Sequence, residues 1–286
     1  MHFTKMQGAG NDFIVVDGRD TDRDWAALAL RITERHLGAG ADGLIVLGSS
    51  ERADFGMRTW DADGFEAETC GNGIRCLARY VLEKGLFPAD GDGMTIETVA
   101  ALNRVAFERR GGRVSGFAVN MGRPRFAAAE IPFIRSNGRD DVAGHGPMTV
   151  YTADVGGRRL VLHLVSMGNP HAVLFLDEPV AGFPVSVVGP LVERLPVFPE
   201  RVNFEVARVL DNDRIEARVW ERGVGETQAC GSGACAIAIA SRMLGYTGDR
   251  VTVNLPGGPL RAGCDGTGDV VLAGSAEIVF EGEWPE

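Results

Sequence analysis

Residues 58–85 read RTWDADGFEAETCGNGIRCLARYVLEKG, and residues 218–245 read RVWERGVGETQACGSGACAIAIASRMLG. Laid together without gaps at an offset of 160, eight of the 28 pairs are identical, including Trp60/Trp220, Glu66/Glu226, Cys70/Cys230, Gly71/Gly231, Gly73/Gly233 and Gly85/Gly245. Chance supplies about two at ordinary residue frequencies. Each copy reads strand, loop, Cys-Gly-x-Gly, helix. Upstream, Met6 to Gly10-Asn11 resembles Met167-Gly168-Asn169 at a similar offset. The repeat predicts two homologous domains facing each other.

Working outward, helical spacing of apolar residues predicts helices over Asp24–Leu37, Gly73–Lys84 and Gly233–Leu244. The third is apolar nearly all round and is expected to be buried. Short strands are predicted at Leu44–Leu47, Phe55–Trp60, Arg113–Val119, Leu160–Val165, Ala172–Leu176, Asn203–Leu210, Ile215–Trp220, Val251–Asn254 and Ala276–Phe280. Arg135–Pro147 is polar and Gly-rich and reads as a surface loop. Many strands around one or two buried helices predict an α+β fold of curled mixed sheets.

Composition narrows the chemistry. The 286 residues are 45% hydrophobic and 24% charged, so the chain can bury a core. A net charge of −10 argues against non-specific binding to nucleic acid or an anionic membrane. No apolar run approaches the ~20 residues of a membrane span. The start of the chain lacks a secretory pattern, and the five cysteines read as free thiols of a cytoplasmic protein. The only lysines are Lys5, at the chain start, and Lys84, at a helix end. A pyridoxal enzyme, which needs a buried Schiff-base lysine, is therefore not expected.

Cys70-Gly71-Asn72-Gly73 and Cys230-Gly231-Ser232-Gly233 each open a predicted helix. Glycine permits a tight turn and close approach to a ligand. Free N–H groups at a helix start attract a carboxylate, and the same dipole is expected to lower the thiol pKa. Two such motifs suit proton removal from one face of a carbon and delivery to the other. The alternative is a pair of structural cysteines near tight turns, against which the duplication argues. Zinc fits poorly. Five residues separate Cys70 from Cys76 and four separate Cys230 from Cys235, whereas structural zinc usually takes two to four. No metal is expected. Cys264 reads as incidental in a Gly-rich turn. Gly38-Ala39-Gly40-Ala41-Asp42-Gly43 matches a dinucleotide fingerprint literally, but it follows a helix and opens a strand, the reverse of the required order.

Ser166-Met167-Gly168-Asn169-Pro170-His171 is a polar loop between apolar strands, and Glu221-Arg222 ends a strand shortly before Cys230. Each has an ordinary reading, an Asn-Pro turn and a surface ion pair. At these residues, and at Lys5-Met6-x-Gly-x-Gly-Asn11-Asp12-Phe13, Ala62-Asp63-Gly64, Pro199-Glu200-Arg201-Val202-Asn203 and Leu255-Pro256-Gly257-Gly258, the chain resembles the diaminopimelate epimerase family.

The resemblance implies two pseudo-symmetric lobes, residues 1–117 with 274–286 and residues 118–273. Each would be a curled mixed β-sheet around a central α-helix, with the active site in the cleft between them. It implies catalytic Cys70 and Cys230. Asn11, Asp61, Gly71, Asn72, Asn169, Asn203, Glu221, Arg222, Gly231 and Ser232 would bind substrate, and His171 and Glu221 would tune the thiols. A cytoplasmic homodimer acting on a small amino acid without a cofactor is implied. One position departs from the family, which usually has Asn where this chain has Asp61. A carboxylate ~4 Å from a substrate carboxylate costs ~4 kcal/mol at an effective dielectric of 20. A racemase of another amino acid, for example a cationic one such as histidine, is the alternative. Two further alternatives are an amino-acid-binding protein without chemistry and a thiol redox switch, though no Cys-x-x-Cys is present.

Overall fold

A computed structural model describes residues 1–67, 70–134, 141–264 and 268–285. In chain order the first elements are β1 (His2–Gly8), β2 (Asn11–Asp17), α1 (Trp25–Ile32), β3 (Gly43–Gly48), β4 (Phe55–Asp61), β5 (Glu66–Ala67), α2 (Gly71–Glu83), β6 (Gly93–Glu97), β7 (Leu102–Arg110) and β8 (Arg113–Asn120). Next come β9 (Asp141–His145), β10 (Met148–Val155), β11 (Arg158–Ser166), β12 (Pro170–Phe175), α3 (Val185–Glu193), β13 (Asn203–Val209), β14 (Arg214–Glu221), β15 (Gly225–Thr227) and α4 (Gly231–Met243). The last are β16 (Arg250–Leu255), β17 (Gly258–Cys264), β18 (Val270–Gly274) and β19 (Glu277–Glu283). The chain divides into two compact units, Met1–Asn120 with Ala273–Glu286, and Met121–Leu272. The first boundary falls three residues beyond the expected one because β8 runs on to Asn120.

The two units repeat one strand order. In the first, β1 is antiparallel to β19 and β2, β2 is parallel to β3, and β3 is antiparallel to β4. Strand β4 then pairs antiparallel with β5 and parallel with β6, which leads into β7 and β8. In the second, β11 is antiparallel to β12, β12 is parallel to β13, and β13 is antiparallel to β14. Strand β14 pairs antiparallel with β15 and parallel with β16, which pairs with β17. Each sheet curls about a helix. Helix α2 packs on β1, β2, β3, β4, β7, β8 and β19, and α4 packs on β11, β12, β13, β16 and β17. Every residue from Gly233 to Ser241 is buried, as the all-round apolar sequence requires. Burying a side chain such as Ile237 stabilises by about 1.5–3 kcal/mol.

Four local expectations are corrected. Helix α1 ends at Ile32, well short of Leu37. The reason is local: Thr33 returns its hydroxyl and its N–H to Ala29 O at 2.7 and 3.0 Å, and Ala39 and Gly40 N–H close on Ile32 O. Helix α3 was not predicted, since Val185-Ser186-Val187-Val188-Gly189-Pro190 is β-branched and carries a helix breaker. Its position was implicit in the repeat, because it lies between β12 and β13 as α1 lies between β2 and β3. Within the expected loop Arg135–Pro147, residues 135–140 lie outside the described residues. Asp141–His145 pairs with β10 through a hairpin in which Gly146 takes φ +59°. Cys264 ends strand β17 rather than sitting in a turn.

Helix α3 packs through Gly189, where an added Cβ would lie 2.5 Å from Trp220 Cγ. An exposed helical Gly→Ala change stabilises by about 1 kcal/mol. Here the clash outweighs propensity. Gly189→Ala is expected to destabilise the protein by about 1–3 kcal/mol, read as a lower urea midpoint at unchanged m-value.

Candidate active site

Cys70 and Cys230 are the N-cap residues of α2 and α4. Both have extended backbones, φ −145° and −123°, and each sulfur accepts the N–H of the glycine three residues on, Gly73 or Gly233, at 3.4 Å. The remaining first-turn N–H groups of each helix are the ones that attract an anion. Gly73 and Gly233 lack positive φ, so backbone freedom is not why they are glycine. A Cβ on Gly73 would lie 2.9 Å from Met57 Cε and 3.1 Å from Ile45 Cδ1, and one on Gly233 would lie 2.9 Å from Glu205 Oε1. Each helix start is seated on a floor that leaves no room for a side chain.

In the first unit, Asn11, Cys70 and Asn72 come together. Asn72 Nδ2 donates to Asn11 Oδ1 at 3.2 Å, and Cys70 Sγ lies 4.0 Å from the same oxygen. Arg75, fully buried, donates to Asn72 Oδ1 at 2.7 Å and to Gly71 O at 3.2 Å. Asn11 is itself aimed by Asp42, whose Oδ2 accepts its amide at 2.7 Å. Arg35 bridges Asp42 and Asp12 at 2.6 and 2.9 Å, and Lys5 pairs with Asp12 at 2.5 Å. Burial opposes the charge of Asp12, but hydrogen bonds from Arg35 and Lys5 outweigh it and hold its carboxyl down to about 2. The glycine-rich stretch at 38–43 thus delivers Asp42 to Asn11. Asp61 ends β4 opposite Gly43, on the Asp42 side of this cluster. Partial desolvation, and then the negative charges of Asp63 and Asp42, push its carboxyl up.

In the second unit, Asn169, His171, Ser232 and Cys230 form a chain. His171 Nε2 meets Asn169 Oδ1 at 2.9 Å, Asn169 Nδ2 donates to Ser232 Oγ at 3.3 Å, and Ser232 Oγ lies 3.4 Å from Cys230 Sγ. His171 Nδ1 meets Glu205 Oε1 at 2.7 Å, and both side chains are fully buried. Glu221 accepts from Thr227 Oγ1 at 2.5 Å; burial pushes its carboxyl up against that bond and one from the Cys230 thiol. The expectation of a lowered thiol pKa is reversed at Cys230. Burial, then the carboxylates Glu221 and Glu205, push this thiol well above its ordinary value. The helix start cannot offset two carboxylates and the loss of water. Cys76 is likewise raised, to about 12, by burial.

Asn203 and Arg222 form a separate pair. Asn203 donates to Pro170 O and accepts the Arg222 backbone N–H, each at 2.9 Å, while Arg222 Nη1 donates to Glu200 O at 3.0 Å. The turn after Glu221 is anchored by Glu193, which accepts from Trp220 Nε1 at 2.8 Å and Gly223 N at 3.0 Å. Sequence reasoning missed Glu193, Glu205 and Asp42. Glu193 lies in the unpredicted helix. Glu205 sits in the run Asn203-Phe204-Glu205-Val206, where burial of a carboxylate leaves no periodic signal.

Solved structures resemble the chain over its whole length. A probable proline racemase from Agrobacterium radiobacter K84, with bound carbonate, has a TM-score of 0.69 and 16% identity over 99% of this chain and 92% of that one. A Bacillus anthracis phenazine biosynthesis protein of the PhzF family has a TM-score of 0.68 and 17% identity over 100% and 99%. At such identity the likeness defines the α+β fold alone. The family is shown by sequence. A family model for diaminopimelate epimerase matches residues 3–127 and 163–279. Diaminopimelate epimerases of Pelotomaculum thermopropionicum and Moorella thermoacetica are each 44% identical over 100% of this chain and 99% of theirs. That of Desulforudis audaxviator is 46% identical over 99% of both. The chain belongs to the diaminopimelate epimerase family, a family of isomerases.

The raised pKa of Cys230 sets a chemical expectation. At pH 7.5 its alkylation by iodoacetamide is expected to be slow, with a rate still climbing above pH 9, read by peptide mass spectrometry. A rate that levels off below pH 8 would show a thiolate there.

Proposed function

We propose that Cys70 and Cys230 are the two acid/base groups of a cofactor-independent epimerase that interconverts LL- and meso-diaminopimelate. One sulfur, as thiolate, takes the α-hydrogen: the Cα–H bond breaks, an S–H bond forms, and the electron pair stays on Cα and spreads into the carboxylate. The other sulfur, as thiol, gives its proton to the opposite face, and a new Cα–H bond forms as that sulfur becomes thiolate. No electron leaves the system. The observation that carries this reading is the repeated cap: two thiols, each at the start of a buried helix, on matching strand frameworks. The raised pKa of Cys230 supports the acid role for it in the direction in which Cys70 abstracts.

Free N–H groups around Gly71-Asn72 and Gly231-Ser232 would receive the carboxylate of the reacting centre, where charge develops. A single oxyanion donor is worth about 2.7–4 kcal/mol in measured cases, so several substitute for part of what pyridoxal supplies elsewhere. Asn11, Asn169, Asn203, Glu221 and Arg222 would hold the rest of the substrate, with His171 and Glu221 acting on the thiols. The relatives' names favour diaminopimelate over the cationic amino acid that Asp61 raised as an alternative. We also infer a homodimer, on the family resemblance, and a cytoplasmic location, in keeping with the five free cysteines.

Cys70→Ala and Cys230→Ala are each expected to lower epimerisation at least about a hundredfold, measured as interconversion of LL- and meso-diaminopimelate by chiral chromatography, since the remaining thiol can still exchange the α-hydrogen of one stereoisomer. Cys76→Ala, at a fully buried thiol, is expected to change stability and leave the rate within a few fold. Retention of more than a tenth of the rate by Cys230→Ala would overturn the assignment. Asp61→Asn is expected to keep the turnover of diaminopimelate and to leave unchanged or lower its Michaelis constant; loss of diaminopimelate turnover would count against the substrate.

A further inference from the structure

The floors beneath the two helix starts differ in kind. Strand register equates Phe13 with His171, Gly43 with Asn203 and Ile45 with Glu205. The spot beneath Gly73 is taken by Met57 Cε and Ile45 Cδ1, and the spot beneath Gly233 by Glu205 Oε1. Where the first unit has two buried apolar residues, Phe13 and Ile45, at the matching register positions, the second buries an imidazole against a carboxylate at 2.7 Å. A buried ion pair is often no more stable than a well-packed apolar pair, and the first unit shows that this framework accepts one. Stability is therefore a weak reason for Glu205. Its second oxygen, Oε2, is buried without a hydrogen-bond partner among the described residues, so the carboxylate does not complete a saturated structural network either.

What Glu205 does do is hold His171. Both ring nitrogens face oxygens, Glu205 Oε1 and Asn169 Oδ1, so the ring is held at both ends. A carboxylate on one ring nitrogen fixes the orientation of the imidazole and of whatever the other nitrogen holds. Here that is Asn169, which reaches Cys230 through Ser232.

We propose that Glu205 is a positioning residue of the reaction, acting through His171 to fix the Asn169–Ser232 bridge at Cys230. The proposal rests on the reading of Cys230 as an acid/base group. The charged and titratable groups bearing on that sulfur are Glu221, Glu205 and, through Glu221 and Glu205, His171.

The test is Glu205→Gln in the full chain, with kcat and KM in both directions and the pH profile of kcat/KM. The expected result is a fall in kcat of about 30-fold in both directions with KM within about threefold, and a displacement of at least half a pH unit in one limb of the profile. In a His171→Gln background the same change is expected to cost less than about threefold more, because its route is already cut. Should Glu205→Gln fail to fold, Glu205→Ile with His171→Phe copies the first unit's apolar floor; it is expected to match His171→Phe alone in kcat. Losses that add in either comparison, or a folded Glu205→Gln with wild-type kcat and pH profile, overturn the proposal. Cys230→Ala in the same assays separates the two readings. If it keeps its rate, the acid/base assignment fails; if it is inactive while Glu205→Gln is unimpaired, only the positioning role fails.

Discussion

In each unit, the polar cluster is organised by a sulfur capping a helix. A helix start presents N–H groups that nothing within the helix can accept. Cys70 and Cys230 each take one of them, from Gly73 and Gly233 at 3.4 Å. That single bond puts a sulfur beside the remaining donors, so a thiol and a set of N–H groups share one turn of chain. It also dictates the glycine three residues on, because the cap can form only if the first turn settles onto the floor below. The floor in turn requires β3 or β13 to pass directly underneath, which the parallel β2–β3 and β12–β13 pairings provide.

The two units keep this arrangement and differ in what surrounds it. In the first, polar groups stand to the side: Asn11 and Asn72 meet each other, braced by Arg75 from within the helix and by Asp42 from the neighbouring loop. The charges of Lys5, Asp12, Arg35 and Asp42 are spent on holding that asparagine. In the second, the polar groups lie beneath and around the thiol, with Glu205 and Glu221 bearing on Cys230 and His171 held against Glu205. The strand frameworks match while the charged groups around the two capping thiols differ, and burial with two carboxylates disfavours the thiolate of Cys230.

Much of this was legible before any coordinates. The offset of 160 announced a duplication, and the strand order then repeated pairing for pairing. The motif Cys-Gly-x-Gly announced helix starts, because a Gly-rich turn ahead of a run with helical periodicity has few other local solutions. The wrong context of the glycine-rich stretch at 38–43 was also legible, and it does open β3. Asn11, Asn72, Asn169, His171 and Ser232 were identified from motifs and lie where they contact one another within their own units.

The sequence by itself determined the secondary-structure periods, the duplication and the identity of the capping thiols, since these depend on residues near one another in the chain or on repetition within it. Tertiary structure decided three other things. It made a helix of Val185–Glu193 despite Gly189 and Pro190, because the apolar faces of β10, β13 and β14 needed cover and packing outweighs propensity costs of about 1 kcal/mol for a helical Gly and about 3 kcal/mol for a helical Pro. It buried Glu205 and Glu193 and gave them partners 34 and 27 residues away. And it reversed the pKa expected for Cys230, because desolvation and two carboxylates from other strands overrode the helix start. Each of these depends on what long-range pairing places beside a residue, and a single chain read in order carries no record of that.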